Sequence, residues 1–532
     1  MKKHIALLFI LLLLIISSCA RKGRPDGGPK DENAPLMISA KPPHLTTNFN
    51  KNEIKIYFDE YIKLKDLQKQ LIVSPPLKYP PIIIPQGIPS KYITIKILDT
   101  LKENTTYTFN FGNSVIDNNE GNILRNFKYT FSTGTVIDSL KIAGTIKDAF
   151  SKDYDKNINV MLYEINDAYT DSILYKEKPL YLASTLDSTT WEITNIKAGN
   201  YLLVALKDKS NNYIYSPKED KIGYFSKQIS IPTDTSYSLS IFKEILPFKI
   251  SRPSEIAKGH ILFGYEGNKD SLQIRPYQVG NTFTSFSNFE KEKDTMNFWY
   301  KGNLKDSIQF KISNINYKDS ILSVKLRKKT IDSLQVASNI RGTLHLRDTL
   351  KLTSNNPIQQ LDTTRITFID KDSTNIPHHF SISKDKRAIT LDFSKTYTNK
   401  YKLEILPNAI IDFFGVTTDT LSYVFSTKKP ADYGNLYLNL QNVKSYPILV
   451  ELTNERGDVI DSIYTEKEQE YQFQNLIPAK YIVRIIYDTN KNKKWDTGNF
   501  LEKIQPEEVY YVRKIIDVRA NWEIEETFLL SK

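Results

Sequence analysis

The chain has 532 residues, more than one hydrophobic core usually serves, so several domains are expected. Its formal net charge is +11, but basic and acidic residues are interspersed along the chain, and this pattern argues against nucleic acid as a partner. The abundance of aromatic residues, 32 Tyr and 26 Phe, favours pleated sheets over helices.

The N-terminus has the layout of a secretory signal. Lys2 and Lys3 precede an unbroken apolar run over residues 5–16, which is shorter than the roughly 20 residues of a membrane span. The segment Ile-Ser-Ser-Cys19 follows and resembles a bacterial lipobox, which implies removal of residues 1–18 and attachment of lipid, such as palmitate, to the Cys19 thiol. The alternative is an ordinary signal peptide with an incidental cysteine. Cys19 is the only cysteine, so a lipidated chain would contain no disulfide.

Residues 19–34 are predicted to be the lipidated cysteine and a flexible tether, because they are charged, rich in Gly and Pro and nearly free of apolar side chains. Surface-displayed lipoproteins of one large group of Gram-negative bacteria resemble one another in an acidic run just after the cysteine. Here the first charges are basic, Arg21, Lys22 and Arg24. We therefore favour the periplasmic face of the outer membrane over the cell surface.

The rest of the chain contains an internal duplication. In two places an Asn is followed six residues later by a Tyr that opens a strand, and seven residues after that by an Asp that opens a polar loop. The two copies are Asn195, Tyr201 and Asp208, and Asn475, Tyr481 and Asp488. Upstream of each copy, a Tyr and a Phe are equally spaced, as Tyr107 and Phe131 and as Tyr401 and Phe425. This pattern predicts a repeated unit of two modules.

The first module of each unit covers residues 35–135 and 346–429. In the first copy, the strand ending in Phe58-Asp59-Glu60, the pair Ile116-Asp117 and a Phe-Ser-Thr end at Thr133 resemble the bacterial Ig-like domain family first described in S-layer proteins. The resemblance implies a sandwich of about 100 residues. A single short helix is expected between Lys63 and Gln70.

The second module of each unit covers residues 138–245 and 433–532. A first strand containing Gly144, a central strand over residues 160–163 and the turn from Asn195 to Tyr201 resemble the prealbumin-like sandwiches of carboxypeptidase regulatory domains. Such domains are accessories and not catalysts, and this is what the resemblance implies here.

Residues 246–345 are predicted to form a further β-sandwich of unassigned type, either independent or an extension of its neighbours. Asp-Ser pairs precede its alternating apolar runs at Asp270, Asp306, Asp319 and Asp332, and such pairs favour turns before strands. The fold class is therefore all-β, a tandem series of Ig-like and prealbumin-like sandwiches. Short linkers between them predict an extended rod.

The best candidate for a metal site lies in the loop of the second copy. Asp488, Asn490, Asn492 and Asp496 place oxygen atoms at the alternating positions that wrap a hard cation such as Ca²⁺. Against this, Lys493 stands where an EF-hand needs Gly, and Asn499 where it needs Glu. The alternative is a polar turn stabilised by Asx hydrogen bonds. No other cofactor is expected.

Catalysis is not expected, because the sequence contains no nucleophile, zinc-binding or phosphate-loop motif. His378 and His379 are adjacent, so on a strand they would point to opposite faces. Two aromatic clusters, at residues 298–300 and 510–511, could stack on sugars or belong to the core.

These observations predict a lipid-anchored, non-catalytic outer-membrane protein that acts as a structural or protein-binding scaffold, with other envelope proteins as partners. The alternative is a cell-surface lipoprotein that binds carbohydrate.

Overall fold

The computed structural model describes residues 30–530 except 281, 292, 303, 305, 316 and 329. The signal segment 1–18 and Cys19 lie outside these residues, as does most of the predicted tether. Strands dominate throughout, and the prediction of an all-β chain of tandem sandwiches is confirmed. Among the described residues, no helix is both long enough and apolar enough to cross a bilayer.

The first module is built from two sheets around an Ile- and Phe-rich core. Its strands are β1 (Met37–Lys41), β2 (Glu53–Leu64), β3 (Ile72–Ser74), β4 (Ile82–Ile84), β5 (Ser90–Lys96), β6 (Thr106–Asn110), β7 (Val115–Asp117) and β8 (Lys128–Ser132). One sheet has the order β1-β2-β5-β4 with β7 on β2, and the other has the order β3-β6-β8. The short helix α1 (Leu67–Gln70) lies where the sequence predicts it.

The second module also has two sheets, and strand β9 lies parallel to β16. Its strands are β9 (Leu140–Asp148), β10 (Asn159–Glu164), β11 (Tyr181–Ser184), β12 (Thr190–Ile196), β13 (Gly199–Lys207), β14 (Lys221–Tyr224), β15 (Ile229–Ile231) and β16 (Ser236–Ile241). The sheet orders are β12-β9-β16 and β11-β10-β13-β14, with β15 on β13. A 3₁₀ turn spans Asp171–Tyr175.

The third module has its own aromatic core between two sheets. Its strands are β17 (Lys249–Ile250), β18 (Ser254–Ala257), β19 (His260–Glu266), β20 (Gln273–Tyr277), β21 (Thr284–Phe289), β22 (Thr295–Lys301), β23 (Ser307–Asn314) and β24 (Tyr317–Lys325). The sheet orders are β17-β19-β22-β21, with β18 on β19, and β20-β23-β24.

The fourth module repeats the strand order of the first. Its strands are β25 (Val336–Ser338), β26 (Gly342–Thr343), β27 (Leu350–Ser354), β28 (Ile358–Leu361), β29 (Ile366–Ile369), β30 (His378–Ile382), β31 (Ala388–Phe393), β32 (Lys400–Ile405), β33 (Ile410–Asp412) and β34 (Leu421–Ser426). The main sheet, β25-β27-β31-β30, corresponds to β1-β2-β5-β4, and β26-β34-β32-β29 faces it. Strand β28 pairs with β33, and a 3₁₀ turn spans Thr363–Arg365.

One predicted boundary differs from the structure. Strands β25 and β26 fall before the boundary predicted at residues 345 and 346, yet they pair with strands of the fourth module. The apolar run after Asp332, assigned from sequence to the third module, includes Leu334 in the fourth module's core. Short alternating runs carry no information about which sheet they join, and this explains the difference.

The fifth module repeats the topology of the second. Its strands are β35 (Gly434–Gln441), β36 (Ile448–Thr453), β37 (Val459–Thr465), β38 (Tyr471–Leu476), β39 (Ala479–Tyr487), β40 (Val509–Tyr511), β41 (Ile516–Val518) and β42 (Glu523–Leu529), after a 3₁₀ turn at Pro430–Asp432. The sheets β38-β35-β42 and β37-β36-β39-β40, with β41 on β39, correspond to those of the second module strand by strand.

The predicted extended rod is wrong, because the chain folds back and the fifth module packs against the second. One hydrophobic cluster joins Ile72 of the first module, the outer face of the β10–β13 sheet and Phe500 of the fifth module. The physical reason is that β10 and β13 are apolar on both faces: almost every residue of Asn159–Glu164 and most of Gly199–Lys207 are buried. A sheet of this kind needs cover on both sides.

Candidate functional site

The two copies of the repeated stretch adopt the same local geometry. Asn195 and Asn475 both have positive φ, 61° and 55°, a conformation that Asn tolerates better than most residues. Six residues later, the Tyr201 hydroxyl donates to the Lys197 carbonyl at 2.9 Å, and the Tyr481 hydroxyl donates to the Ile477 carbonyl at 2.7 Å. In both copies the left-handed Asn turns the chain and the buried Tyr ties the start of the strand to that turn.

Each of these asparagines also bonds to the Ig-like module that precedes it. The Asn195 side-chain oxygen accepts from the Thr108 hydroxyl of the first module at 3.1 Å, and its amide donates to the carbonyl of Asp138, at the start of the second module, at 2.8 Å. In the second copy, the Asn475 oxygen accepts from the Tyr397 hydroxyl at 2.8 Å. The repeated Asn therefore joins the two modules of each unit.

In the first copy, two buried carboxylates hold the polar loop. Asp208 accepts the backbone N–H groups of Asn211 and Tyr213, each at 2.7 Å. Asp220 accepts those of Lys209 and Ser216 at 3.0 and 2.8 Å. Burial raises the pKa of Asp208, and the neighbouring Asp220 acts in the same direction. These oxygens are used by the backbone of the loop.

The four predicted calcium ligands of the second copy lie together in one turn. Asp488 accepts the N–H groups of Asn492 and Lys493 at 3.2 and 2.8 Å. One Asp496 oxygen accepts from the side-chain amides of Asn490 and Asn492 at 2.7 and 2.5 Å. The arrangement has the Asx hydrogen bonds of the alternative interpretation. Whether it also takes Ca²⁺ stays a prediction.

Sequence reasoning missed Glu507, which closes this loop from its far end. Glu507 accepts the N–H of Thr489 at 2.6 Å and that of Asp496 at 3.1 Å, and its own carbonyl accepts the Trp495 indole N–H at 3.0 Å. It has the role that Asp220 has in the first copy. A comparison of the two loops for a second carboxylate would have found it.

The loop between Asp488 and Glu507 docks on the second module. Phe500 is fully buried, and its ring meets that of Tyr224 edge to face at 5.1 Å between centroids. The Phe500 N–H donates to Glu244 at 2.5 Å. At Gly498, a Cβ would come within 2.6 Å of the Phe242 ring, so a larger residue would push the loop off the module.

Polar contacts surround this apolar centre. The Thr497 hydroxyl donates to the Lys243 carbonyl at 2.7 Å, and the Gln505 amide donates to the Tyr224 carbonyl at 3.1 Å. Burial, followed by the hydrogen bond to Glu244, raises the pKa of Tyr215 beside Phe500's docking position. The contact therefore has the dry centre and polar rim of a specific protein interface.

A buried ion pair lies beside the same contact. Arg484 of β39 bonds to Glu451 of β36 at 2.6 Å, and both side chains are almost inaccessible to solvent. The Arg484 guanidinium lies over the Phe150 ring of the second module at 4.3 Å, and the Tyr511 hydroxyl donates to the Phe150 carbonyl at 2.7 Å. Removal of either partner would leave the other charge buried and unpaired, which strongly destabilises a folded protein.

Of the two candidate sugar-binding clusters, one is part of the core. Phe298, Trp299 and Tyr300 are all buried, so the interpretation of this cluster as a sugar platform is wrong. Trp299 stacks on the His260 ring at 4.5 Å. The other cluster, at 510–511, lies on β40 beside the interface. His378 is exposed and bonds to the Ile376 carbonyl. In the part of the chain that the structure describes, no three His, Cys, Asp or Glu side chains form a metal-binding group.

The first module matches the family model described as "Bacterial Ig-like domain" over residues 31–133. Residues 31–133 are a bacterial Ig-like domain. No curated protein sequence matches the chain.

Several solved structures are similar to the chain at low identity. The S-layer protein rSbsC is 10% identical, with 91% of this chain and 67% of that chain covered, at a TM-score of 0.16. SGBP-B of the Bacteroides ovatus mixed-linkage glucan utilization locus, solved with a mixed-linkage heptasaccharide, is 10% identical. The similarity covers 83% of this chain and 98% of that chain, at a TM-score of 0.17. The Bacillus cereus major pilin BcpA is 11% identical, with 73% of this chain and 98% of that chain covered, at a TM-score of 0.14. Scores this low carry no argument about this chain.

The fourth module has contacts of the Ig-like domain in equivalent places. In the Ig-like domain the Tyr107 hydroxyl accepts the N–H of Lys102 at 2.9 Å, and in the fourth module the Tyr401 hydroxyl accepts the N–H of Thr396 at 2.9 Å. In both, the hydroxyl bonds five residues back along the chain. The two modules therefore share local geometry as well as strand order.

Proposed function

We propose that the protein is a non-catalytic scaffold of a bacterial envelope, anchored by lipid on Cys19 to the outer membrane, with the periplasmic face favoured. The single observation that carries the proposal is the docking of the fifth module on the second. It turns a chain of separate sandwiches into a body in which distant modules hold a fixed relation. Fixed spacing between surfaces is what a scaffold supplies to its partners.

The buried acidic groups support a structural role. Asp208, Asp220, Asp488 and Glu507 are the carboxylates buried in the two loops, and each accepts two or more hydrogen bonds from the loop backbone. A general acid or base needs a proton-exchanging oxygen that faces a substrate. These four carboxylates instead fix loop conformation.

Lipid on Cys19 would hold this body at a membrane. Each buried CH₂ of an acyl chain contributes about 0.8 kcal/mol, so several chains on one residue give durable attachment. The basic residues Arg21, Lys22 and Arg24 next to the cysteine suit an anionic leaflet.

The placement is tested by growing cells with radiolabelled palmitate and fractionating their membranes. We expect label in the wild-type protein and none in a Cys19→Ser variant, which high salt should release from the membrane fraction although it leaves the lipidated protein bound. An unlabelled wild type, or an unaltered membrane association of Cys19→Ser, would refute the anchor.

The scaffold role is tested by crosslinking in the native envelope and identifying the captured proteins. We expect defined envelope proteins, and their capture should fall when the docked module is released by Gly498→Leu. The alternative function, carbohydrate binding, is weakened because the aromatic cluster at residues 298–300 is buried in the core. Retention on a glycan array, with no crosslinked protein, would favour it again.

A further inference from the structure

The outer face of the β1-β2-β5-β4 sheet exposes apolar and aromatic side chains. Tyr57 lies opposite Tyr92 across β2 and β5, and Ile84 lies opposite Thr94 across β4 and β5. The inner residues of the same strands form the Ig-like core. Tyr92, Ile82 and Ile84 remain 43%, 43% and 42% exposed, so none of the modules that the structure describes covers them.

The fold does not require apolar residues on this face, because the fourth module does without them. On its corresponding sheet β25-β27-β31-β30, Lys351 lies opposite Thr390, which lies opposite Ser381. Next to them, His379 lies opposite Asp392. Two sandwiches of the same strand order thus differ in this face: it is polar in the fourth module and carries Tyr and Ile in the first.

Lysines are distributed through the apolar face. Lys41 lies opposite Lys55, and Lys96 lies opposite Ile82. The ammonium groups of Lys55 and Lys91 lie over the rings of Tyr92 and Tyr61, at 5.8 and 5.3 Å. Tyr with flanking Lys is the combination enriched where proteins meet the headgroup region of a bilayer, with the rings among headgroups and the ammonium groups at phosphates.

The chain reaches the Ig-like domain at the rim of this face. The Asp31 carbonyl accepts from the Asn122 amide at 2.8 Å, and in the same loop the Asn118 N–H donates to the Tyr61 carbonyl at 2.8 Å. The residues between Cys19 and Lys30 span at most about 40 Å even when fully extended. A lipid on Cys19 therefore keeps the face within reach of the bilayer.

We propose that this face, defined by Tyr57, Tyr92, Ile82, Ile84 and Lys96, docks on an anionic phospholipid surface and orients the protein on its membrane. The inference rests on the proposed lipid anchor. Attachment through one residue sets only a distance, whereas contact through a sheet face also sets which side of the Ig-like domain points away from the lipid.

The experiment uses the whole chain from residue 20 onwards, without lipid, and vesicles of equal parts phosphatidylglycerol and phosphatidylethanolamine. We expect it to sediment with these vesicles and not with phosphatidylcholine vesicles. The pair Ile82→Ser with Ile84→Ser, and separately Lys96→Glu, should each lower the partition coefficient on the order of tenfold.

The matched control is Leu406→Ser with Val424→Ser, which removes two side chains that are 44% and 46% exposed on the fourth module. Its binding should equal that of the parent. All substituted positions are exposed, and unchanged thermal unfolding would show that the variants fold. Equal binding by all variants, or no binding to anionic vesicles, would overturn the proposal, as would retention on glycans with no vesicle binding.

A second readout uses the fact that the chain after Cys19 contains no cysteine. An environment-sensitive dye on Ile84→Cys should shift to shorter emission wavelength with anionic vesicles, and the same dye on Val424→Cys should not. The vesicle experiments use unlipidated protein, and the labelling of Cys19 is measured separately in cells. Failure of the sheet face to bind vesicles and failure of Cys19 to take up lipid are therefore two distinguishable results.

Discussion

The polar loops of the second and fifth modules are held by equivalent carboxylates but differ in length and in the surfaces they contact. In each, a first Asp and a later carboxylate accept the backbone N–H groups of the loop. The Lys209 N–H reaches Asp220 across 11 residues, whereas the Thr489 N–H reaches Glu507 across 18. The longer loop carries Trp495 and Phe500 and packs on the other copy. The two carboxylates are therefore common to both loops, and only in the fifth module do the residues between them form an interface with the other copy.

The strands behind the loops show the same divergence. In the second module Met161 lies opposite Val204, whereas at the equivalent place in the fifth module Glu451 lies opposite Arg484. One apolar pair thus corresponds to one buried ion pair on the same sheet position. The Arg484 guanidinium lies over the Phe150 ring of the second module, so the ion pair contributes to the interface between the modules.

The largest effect is expected from Phe500→Ala, which removes the buried anchor of the longer loop. We expect a loss of roughly 4 kcal/mol at the contact, since a buried Phe leaves both its transfer energy and a cavity. Hydrogen exchange should quicken in strands β14 and β16 and in the loop itself. The neighbouring Leu501→Ala is the control, because Leu501 is exposed. Equal exchange in both variants would mean that the loop does not hold the modules together.

The next largest effect is expected from breaking the buried ion pair of the fifth module. Arg484→Val alone leaves Glu451 buried without its partner and should cost about 3 kcal/mol in free energy of unfolding. Adding Glu451→Met restores the second module's pair and should recover most of that loss. A double variant as unstable as the single one would show that the ion pair itself is needed. Chemical denaturation measures all three proteins.

A smaller difference is expected between the two junction asparagines. Gly tolerates their positive φ, so Asn195→Gly and Asn475→Gly remove only side-chain contacts. Asn195→Gly loses two side-chain hydrogen bonds, one of them to the first module, and should cost about 2 kcal/mol, whereas Asn475→Gly loses one and should cost about 1 kcal/mol. Calorimetry of the two variants checks the order, and a reversed order would contradict the contacts described for Asn195.

The smallest effect is expected from calcium. Both Asp488 oxygens accept backbone N–H groups, and Lys491, Lys493 and Lys494 lie in the same turn, so the hydrogen-bonded form should compete well with the cation. We expect the thermal midpoint to be the same with Ca²⁺ as with a chelator. A midpoint that rises with Ca²⁺ and not in Asp488→Asn would establish the metal site and remove the Asx turn as the resting state.

Much of the architecture was predictable from local patterns. Alternation of the kind seen in Ile54, Ile56 and Phe58 predicts a half-buried strand, and these residues are buried in β2. The spacing of Asn, Tyr and Asp predicts a duplication, and the paired turns have matching bonds. The unbroken apolar run at residues 160–163 was also a signal, because a strand apolar on both faces needs a second cover.

The partner that provides the second cover could not be predicted, since Phe500 lies far along the chain from Tyr224 and Phe242. The same limit applies to the candidate calcium loop, whose oxygens are visible in sequence while the hydrogen bonds that use them are not. It applies as well to the aromatic run at 298–300, where all three side chains are buried although a simple strand would alternate.

By itself the sequence determined the sandwiches, their repeated order and the left-handed turns that start each copy. These depend on side-chain alternation and backbone preference within a few residues. Only the tertiary structure decided that the fifth module lies on the second and that, among residues 30–530, no other module covers one face of the Ig-like domain. Those outcomes depend on which surfaces find each other across hundreds of residues, and no local pattern encodes that choice.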